Sequence, residues 1–228
     1  MILAINTAQS VREISLIDNG EILAERSWPD ERDDFERLLP TLDEMLEEIG
    51  TQKEEITEIL VVQGPGHYTA IRVGVTFANA LAEGLNAKLH AIDTFELLRR
   101  KAAITEPLLV VTNAGGLDVG VREFASESPA SDSDESAEPK VGPLADLLAD
   151  FEHDKYKVAF ELNETLLTQL RGICLEKNWP LLEGHELSTL GESILTFGLE
   201  GASQTDNAEP IYLKDPVITK SSDPWKNR

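Results

Sequence analysis

Short apolar runs alternate along this chain with longer segments in which apolar residues return every three or four positions. Residues 1–5 (Met-Ile-Leu-Ala-Ile) read as a strand, and the polar stretch Asn6-Thr7-Ala8-Gln9-Ser10 breaks it. The strand pattern resumes over 11–17, Asp18-Asn19-Gly20 is a hairpin signal, and 21–27 alternate loosely. An antiparallel meander is predicted. From residue 34 the period changes. Phe35, Leu38, Leu39, Leu42, Met45, Leu46 and Ile49 fall at helical spacing among Glu and Asp, and Gly50 stands where a helix ends. Pro40 predicts a kink or a late start. Residues 51–58 predict a short helical piece capped by Thr51. A buried strand over 59–62 runs into Gln63-Gly64-Pro65-Gly66, and a helix follows over 70–84. That helix is apolar most of the way round, so it is buried or packs on a partner. A strand over 89–92 and a helix over 95–103, capped by Thr94, close this half.

The pattern then restarts. Strands are predicted over 108–112 and 119–125 around the turn Asn113-Ala114-Gly115-Gly116. Residues 126–143 turn to Ser, Asp, Glu and Pro and predict a flexible acidic loop. Beyond it come a helix over 144–151, a strand over 158–160, a helix over 164–177, a weak strand at Leu181-Leu182 and a helix over 188–199 capped by Ser188. The stretch from 208 is irregular, with disorder expected over 221–228. Two α/β lobes are predicted, 1–104 and 105–228, each opening on strands around a turn.

Composition narrows the function classes. The 228 residues are 41% hydrophobic, enough for one large or two small cores. No apolar run approaches the ~18 residues of a membrane span, and Met1 leads into a strand pattern with no basic leader. A cytoplasmic protein without membrane contact is expected. A lone Cys174 excludes an internal disulfide and a cysteine-rich zinc site. Twenty basic residues face 42 acidic ones, a net charge of −22, spread over both halves. Tight phosphate binding needs clustered Lys and Arg. The chain offers only short runs such as Arg99-Arg100-Lys101, so nucleic acid is expected to be met only indirectly.

Chemistry-bearing candidates are few. Gly64-Pro65-Gly66 lies between a strand and a helix, where glycine lets the backbone approach a phosphate and the helix supplies free N–H groups. A tight strand-to-helix turn is the plain alternative. His67, His90, His153 and His185 are scattered, and a metal site wants three convergent ligands, so no metal is expected. Cys174 lies in an apolar helix and reads as a small buried hydrophobe. The acidic pairs read as solvated helix faces.

Four segments carry a resemblance. Gly64-Pro65-Gly66-His67-Tyr68-Thr69-Ala70-Ile71-Arg72-Val73-Gly74 is similar to the Gly-Pro-Gly-Ser-Phe-Thr-Gly-Leu-Arg-Ile-Gly signature of the TsaB (YeaZ) family. Ile2 to Thr7 resembles that family's Ile-Leu-Ala-Ile-Asp-Thr opening, Leu89 to Glu96 its strand and helix start, and Pro210 to Lys214 its closing Pro-x-Tyr-Leu-Arg. The resemblance implies a two-lobe actin-like fold (sugar kinase, Hsp70 and actin; ASKHA), with mixed sheets flanked by helices. It implies a non-catalytic subunit in making threonylcarbamoyladenosine beside the tRNA anticodon. Such a subunit pairs with the transferase TsaD, and the ATPase TsaE acts through the complex.

Departures from that pattern lean away from catalysis. The first-loop Asp is Asn6, and an amide is no general base and binds Mg²⁺ poorly. Asn113-Ala114-Gly115 replaces a charged Asp-Ala-Arg turn. Asn6, Thr7, Gly64, Gly66 and Thr69 are therefore expected to form vestigial phosphate loops, with no resident cofactor; weak ATP or ADP binding at a complex interface is left open. The helices at 34–49 and 70–84 either cover the sheet or present an outward stripe, and the resemblance favours the stripe. Leu38, Leu42, Met45, Val73, Phe77, Ala80 and Leu81 are then expected at the partner interface, used for homodimerisation when the chain is alone. The alternatives are a free-standing ATPase or phosphotransferase of this fold and a salt-adapted interaction module. Asn6 opposes the first. A metallopeptidase would need paired histidines.

Overall fold

A computed structural model describes residues 1–29, 34–124 and 138–214. The opening meander forms as its alternation dictates. Strands β1 (Ile2–Asn6), β2 (Val11–Asp18) and β3 (Glu21–Pro29) are antiparallel neighbours. Strand β4 (Glu58–Val62) then lies parallel to β1, and β5 (Lys88–Ile92) parallel to β4. Each parallel step needs a crossover, which helices α1 (Asp34–Glu48) and α2 (Tyr68–Leu85) supply. Pro40 sits inside α1 on its exposed side, and the helix continues through it.

The second lobe repeats the plan. Strands β6 (Leu108–Gly115), β7 (Asp118–Phe124) and β8 (Lys140–Pro143) form an antiparallel meander, and β9 (Lys157–Glu161) lies parallel to β6. Helices α4 (Leu144–Leu148) and α5 (Glu164–Lys177) cover its outer face. Helix α3 (Thr94–Ala102) sits between the sheets, where Phe95 and Leu98 meet Val110 and Phe124. The expected two-lobe actin-like architecture, mixed sheets flanked by helices, is the one observed.

Several elements depart from expectation. Strand β8 occupies the end of the expected acidic loop; positions 126–137 of that loop, the last residue of the strand expected over 119–125, and the expected disorder over 221–228 lie outside the described residues. The piece at 51–58 shrinks to one 3-10 turn at Lys53–Glu55, behind Gln52 and not Thr51. Leu181 makes an isolated bridge to Val158. Asp93, not Thr94, caps α3 by accepting from Glu96 N at 2.8 Å. Thr189, not Ser188, caps α6 (Leu190–Phe197) in a reciprocal box with Glu192. Within the stretch expected in the second lobe, α6 packs on β2, and β10 (Ser203–Thr205) pairs antiparallel with β5. Leu190, Ile194 and Ala208 join the first core. The sequence reading missed this return because three strand residues leave no periodic signal.

Candidate functional site

The polar loop after β1 (Asn6 to Ser10) and the glycine loop after β4 (Gln63 to His67) meet where the lobes face each other. Asn6 ends β1 fully buried. Its amide nitrogen donates to Gln9 Oε1 at 2.7 Å and Glu13 Oε2 at 2.9 Å, and its oxygen accepts from Ala8 N at 3.2 Å. Ser10 N donates to Glu161 Oε1 at 2.8 Å, across the lobe boundary. Thr7 Oγ1 donates to the Ala70 carbonyl in the first turn of α2 at 2.7 Å. Ala8 N, Ser10 N and the Thr7 hydroxyl, donors that a phosphate could use in this loop, are thus taken by the chain's own groups.

Gly64 and Gly66 serve the packing of this loop. His67 N donates to the Ala8 carbonyl at 3.0 Å, and a methyl group on Gly66 would run into that carbonyl oxygen. Gly64 has φ +105° and lies against the Ile211 carbonyl. Thr69 stands exposed near the start of α2. All five residues expected to form vestigial phosphate loops therefore lie in one region, with Thr7 and Gly66 carrying contacts between the two segments. Pro65, Gly66 and Tyr68 also line a cleft of about 560 Å³ with the β6–β7 turn (Asn113 to Asp118) and with Tyr212 and Lys214.

Sequence reasoning missed the buried charges beside this region. Glu13, on β2 opposite Asn6, pairs with Lys101 of α3 and accepts from Leu190 N at 3.1 Å. Arg100 donates to Glu96 at 3.0 Å and to the carbonyls of Gly198 and Glu200. The run Arg99-Arg100-Lys101 is buried, with every member on internal partners. A charge inside an apolar run was the one available signal, and alone it looks like a solvated face. Among the described residues no three His, Cys, Asp or Glu converge as a metal site; His90 instead meets Glu58 at 3.0 Å.

The expected interface residues divide. Leu38, Leu42 and Met45 are at most 1% exposed and fill the first core. In the free chain they hold α1 to its own lobe and leave almost no side-chain surface exposed. Val73, Phe77 and Leu81 are half-buried and Ala80 is exposed. They follow one another along the open side of α2, while Ile71, Val75, Ala78 and Ala82 are buried beneath.

Comparison with known proteins now decides the family. The model described as "TsaD: tRNA N6-adenosine threonylcarbamoyltransferase" matches residues 22–169, well over half of the chain. The chain belongs to this family, in its TsaB (YeaZ) group. It is 24% identical to the tRNA threonylcarbamoyladenosine biosynthesis protein TsaB of Escherichia coli, over 96% of both chains. It is 31% identical to that of Bacillus subtilis over 97 residues, which is 42% of each chain. A tRNA N6-adenosine threonylcarbamoyltransferase from Burkholderia vietnamiensis is 39% identical over 79 residues, but the match spans only 21% of that protein. Among solved structures, YeaZ from Pseudomonas aeruginosa superposes with a TM-score of 0.70 at 18% identity, covering 93% of this chain and 99% of that one. That last likeness establishes the TsaB-type fold.

Proposed function

We propose that this chain is a non-catalytic subunit of the machinery that makes tRNA threonylcarbamoyladenosine, and that it binds and activates a TsaD-type transferase subunit. The observation that carries this reading is the second apolar side of α2. A helix that only covers a sheet needs one apolar face. This one buries Ile71, Val75, Ala78 and Ala82 and still leaves Val73, Phe77 and Leu81 only half-buried at the edge of that core, with Ala80 exposed among them. A stripe with small Ala80 at its centre suits close approach by another helix, with a desolvated apolar middle. The occupied donors of the first loop support the non-catalytic part, as does Asn6 in place of an acid.

In this reading the first lobe carries the contact and a TsaE-type ATPase acts through the complex. The tRNA touches this chain only indirectly, since its net charge is −22 and its one basic run is buried. Alone, the same stripe pairs two copies. No helix among the described residues is long and apolar enough to cross a membrane, and work on tRNA places the protein in the cytoplasm.

The test is Ala80→Glu. Co-expressed with a TsaD-type subunit and run on gel filtration, the variant is expected to elute as a folded monomer while the native chain elutes as a heterodimer. An intact heterodimer carrying the variant would refute the α2 contact.

A further inference from the structure

Residues 208–214 run back along α2 and then cross from the first lobe to the second. At the near end, Asn79 in the middle of α2 holds both sides of Ala208. Its Nδ2 donates to the Ala208 carbonyl at 3.0 Å, and Ala208 N donates to its Oδ1 at 2.9 Å. Ile211 N donates to the Gln63 carbonyl at 2.7 Å, at the exit of β4. The Tyr212 ring stacks on Tyr68, the first residue of α2, with centroids 4.5 Å apart and 29° between planes. Arg72 lies 5.8 Å from the other partner's ring, that of Tyr68. At the far end Leu213 enters the apolar layer between the sheets, beside Phe95 and Gly120. Lys214 pairs with Asp118 at the start of β7.

The seam beside this segment carries a charged pair, Arg122 Nη1 with Asp93 Oδ2 at 2.8 Å, beside two buried hydroxyls. Thr94 Oγ1 on α3 and Thr112 Oγ1 on β6 are buried with no hydrogen-bond partner among the described residues. Buried polar groups left unpaired oppose closure. The contacts that span the boundary here come from the segment, from the Arg122–Asp93 pair and from the apolar layer.

We propose that residues 208–214 act as a latch that fixes the angle between the lobes and ties that angle to α2. A displacement of α2 then pulls on Asn79 and Tyr68 and is passed to β7, and opening of the lobes is felt at α2. The inference is independent of what α2 binds.

Spin labels test it in the full chain. Cysteines replacing Glu54, in the first lobe, and Glu164, at the start of α5, are exposed and carry the labels. Native Cys174 stays unlabelled, because burial pushes its thiol up to about 12 and keeps it protonated. One narrow interlobe distance is expected for the otherwise unchanged chain. Adding Tyr212→Ala and Lys214→Ala should broaden it or add a second distance with circular dichroism unchanged, since both side chains are exposed. An unchanged distribution would overturn the latch. Should that pair lose its fold, Lys214→Ala alone is measured, and an unchanged distance there overturns it equally.

Discussion

Asn6 is the residue whose chemistry matters most. It stands where the family's opening carries an acid, and its environment explains why an amide is held there. The Asn6 side chain donates to Glu13, which is itself buried and shares one cation, Lys101. An acid at position 6 would bring a second carboxylate within hydrogen-bond reach of the first and remove the donor. Two like charges so close cannot both ionise without large cost, so one must take up a proton. Asn6→Asp is therefore expected to destabilise the fold by about 1–3 kcal/mol. The loss should be larger at pH 8 than at pH 5, where a shared proton relieves the repulsion. Urea denaturation at the two pH values measures it. Equal midpoints for variant and native chain would show that the knot around Glu13 tolerates a second charge.

At the scale of elements, α1 and α2 look alike in sequence and differ in role. Both carry more apolar positions than one face needs, and the family resemblance, not periodicity, led to the expectation of Leu42 and Leu81 on one surface. The difference lies in tertiary contact: Leu42 is 1% exposed in the core, whereas Leu81 is half-buried on the open side of α2. Leu42→Ala should cost about 2–5 kcal/mol, the usual range for a buried leucine. Leu81→Ala should cost about 1 kcal/mol or less in the monomer and weaken association instead. Thermal melts and gel filtration of the two variants separate these outcomes; equal stability losses would remove α2 as the distinct surface. The same contrast marks what was legible in the sequence. The meander of β1 to β3, the glycine loop and the helix after it announce themselves through period, turn residues and a specific motif. Strand β10 carries no such signal, and the latch shows only as the closing motif at Pro210 to Lys214, because three to seven residues ordered by distant partners such as Asn79 and Asp118 carry no local period. The burial of Lys101 is equally silent, since its partner Glu13 lies 88 residues away.

For the whole molecule, the charge of −22 sets long-range repulsion against a few internal pairs. Much of the acid lies at exposed positions, on helices such as α1 and in the connections between elements, where it repels itself across tens of ångströms, and that repulsion opposes the compact state. The internal pairs are different in kind. Lys101 with Glu13 and Arg100 with Glu96 are largely or wholly buried, so salt screens them little. Raising the ionic strength from about 0.01 to 0.15 M shortens the screening length from roughly 30 to 8 Å, which removes surface repulsion while leaving those pairs nearly intact. The melting temperature should therefore rise with salt over that range, and most of the rise should come below 0.15 M. A Glu13→Gln variant should melt lower at every salt concentration while keeping the same slope, because its loss is local and its gain from screening is not. Differential scanning calorimetry across the salt series reads both quantities. A melting temperature that falls with salt would mean that ion pairs at the surface outweigh the repulsion and that the acidic faces are arranged, not merely accumulated.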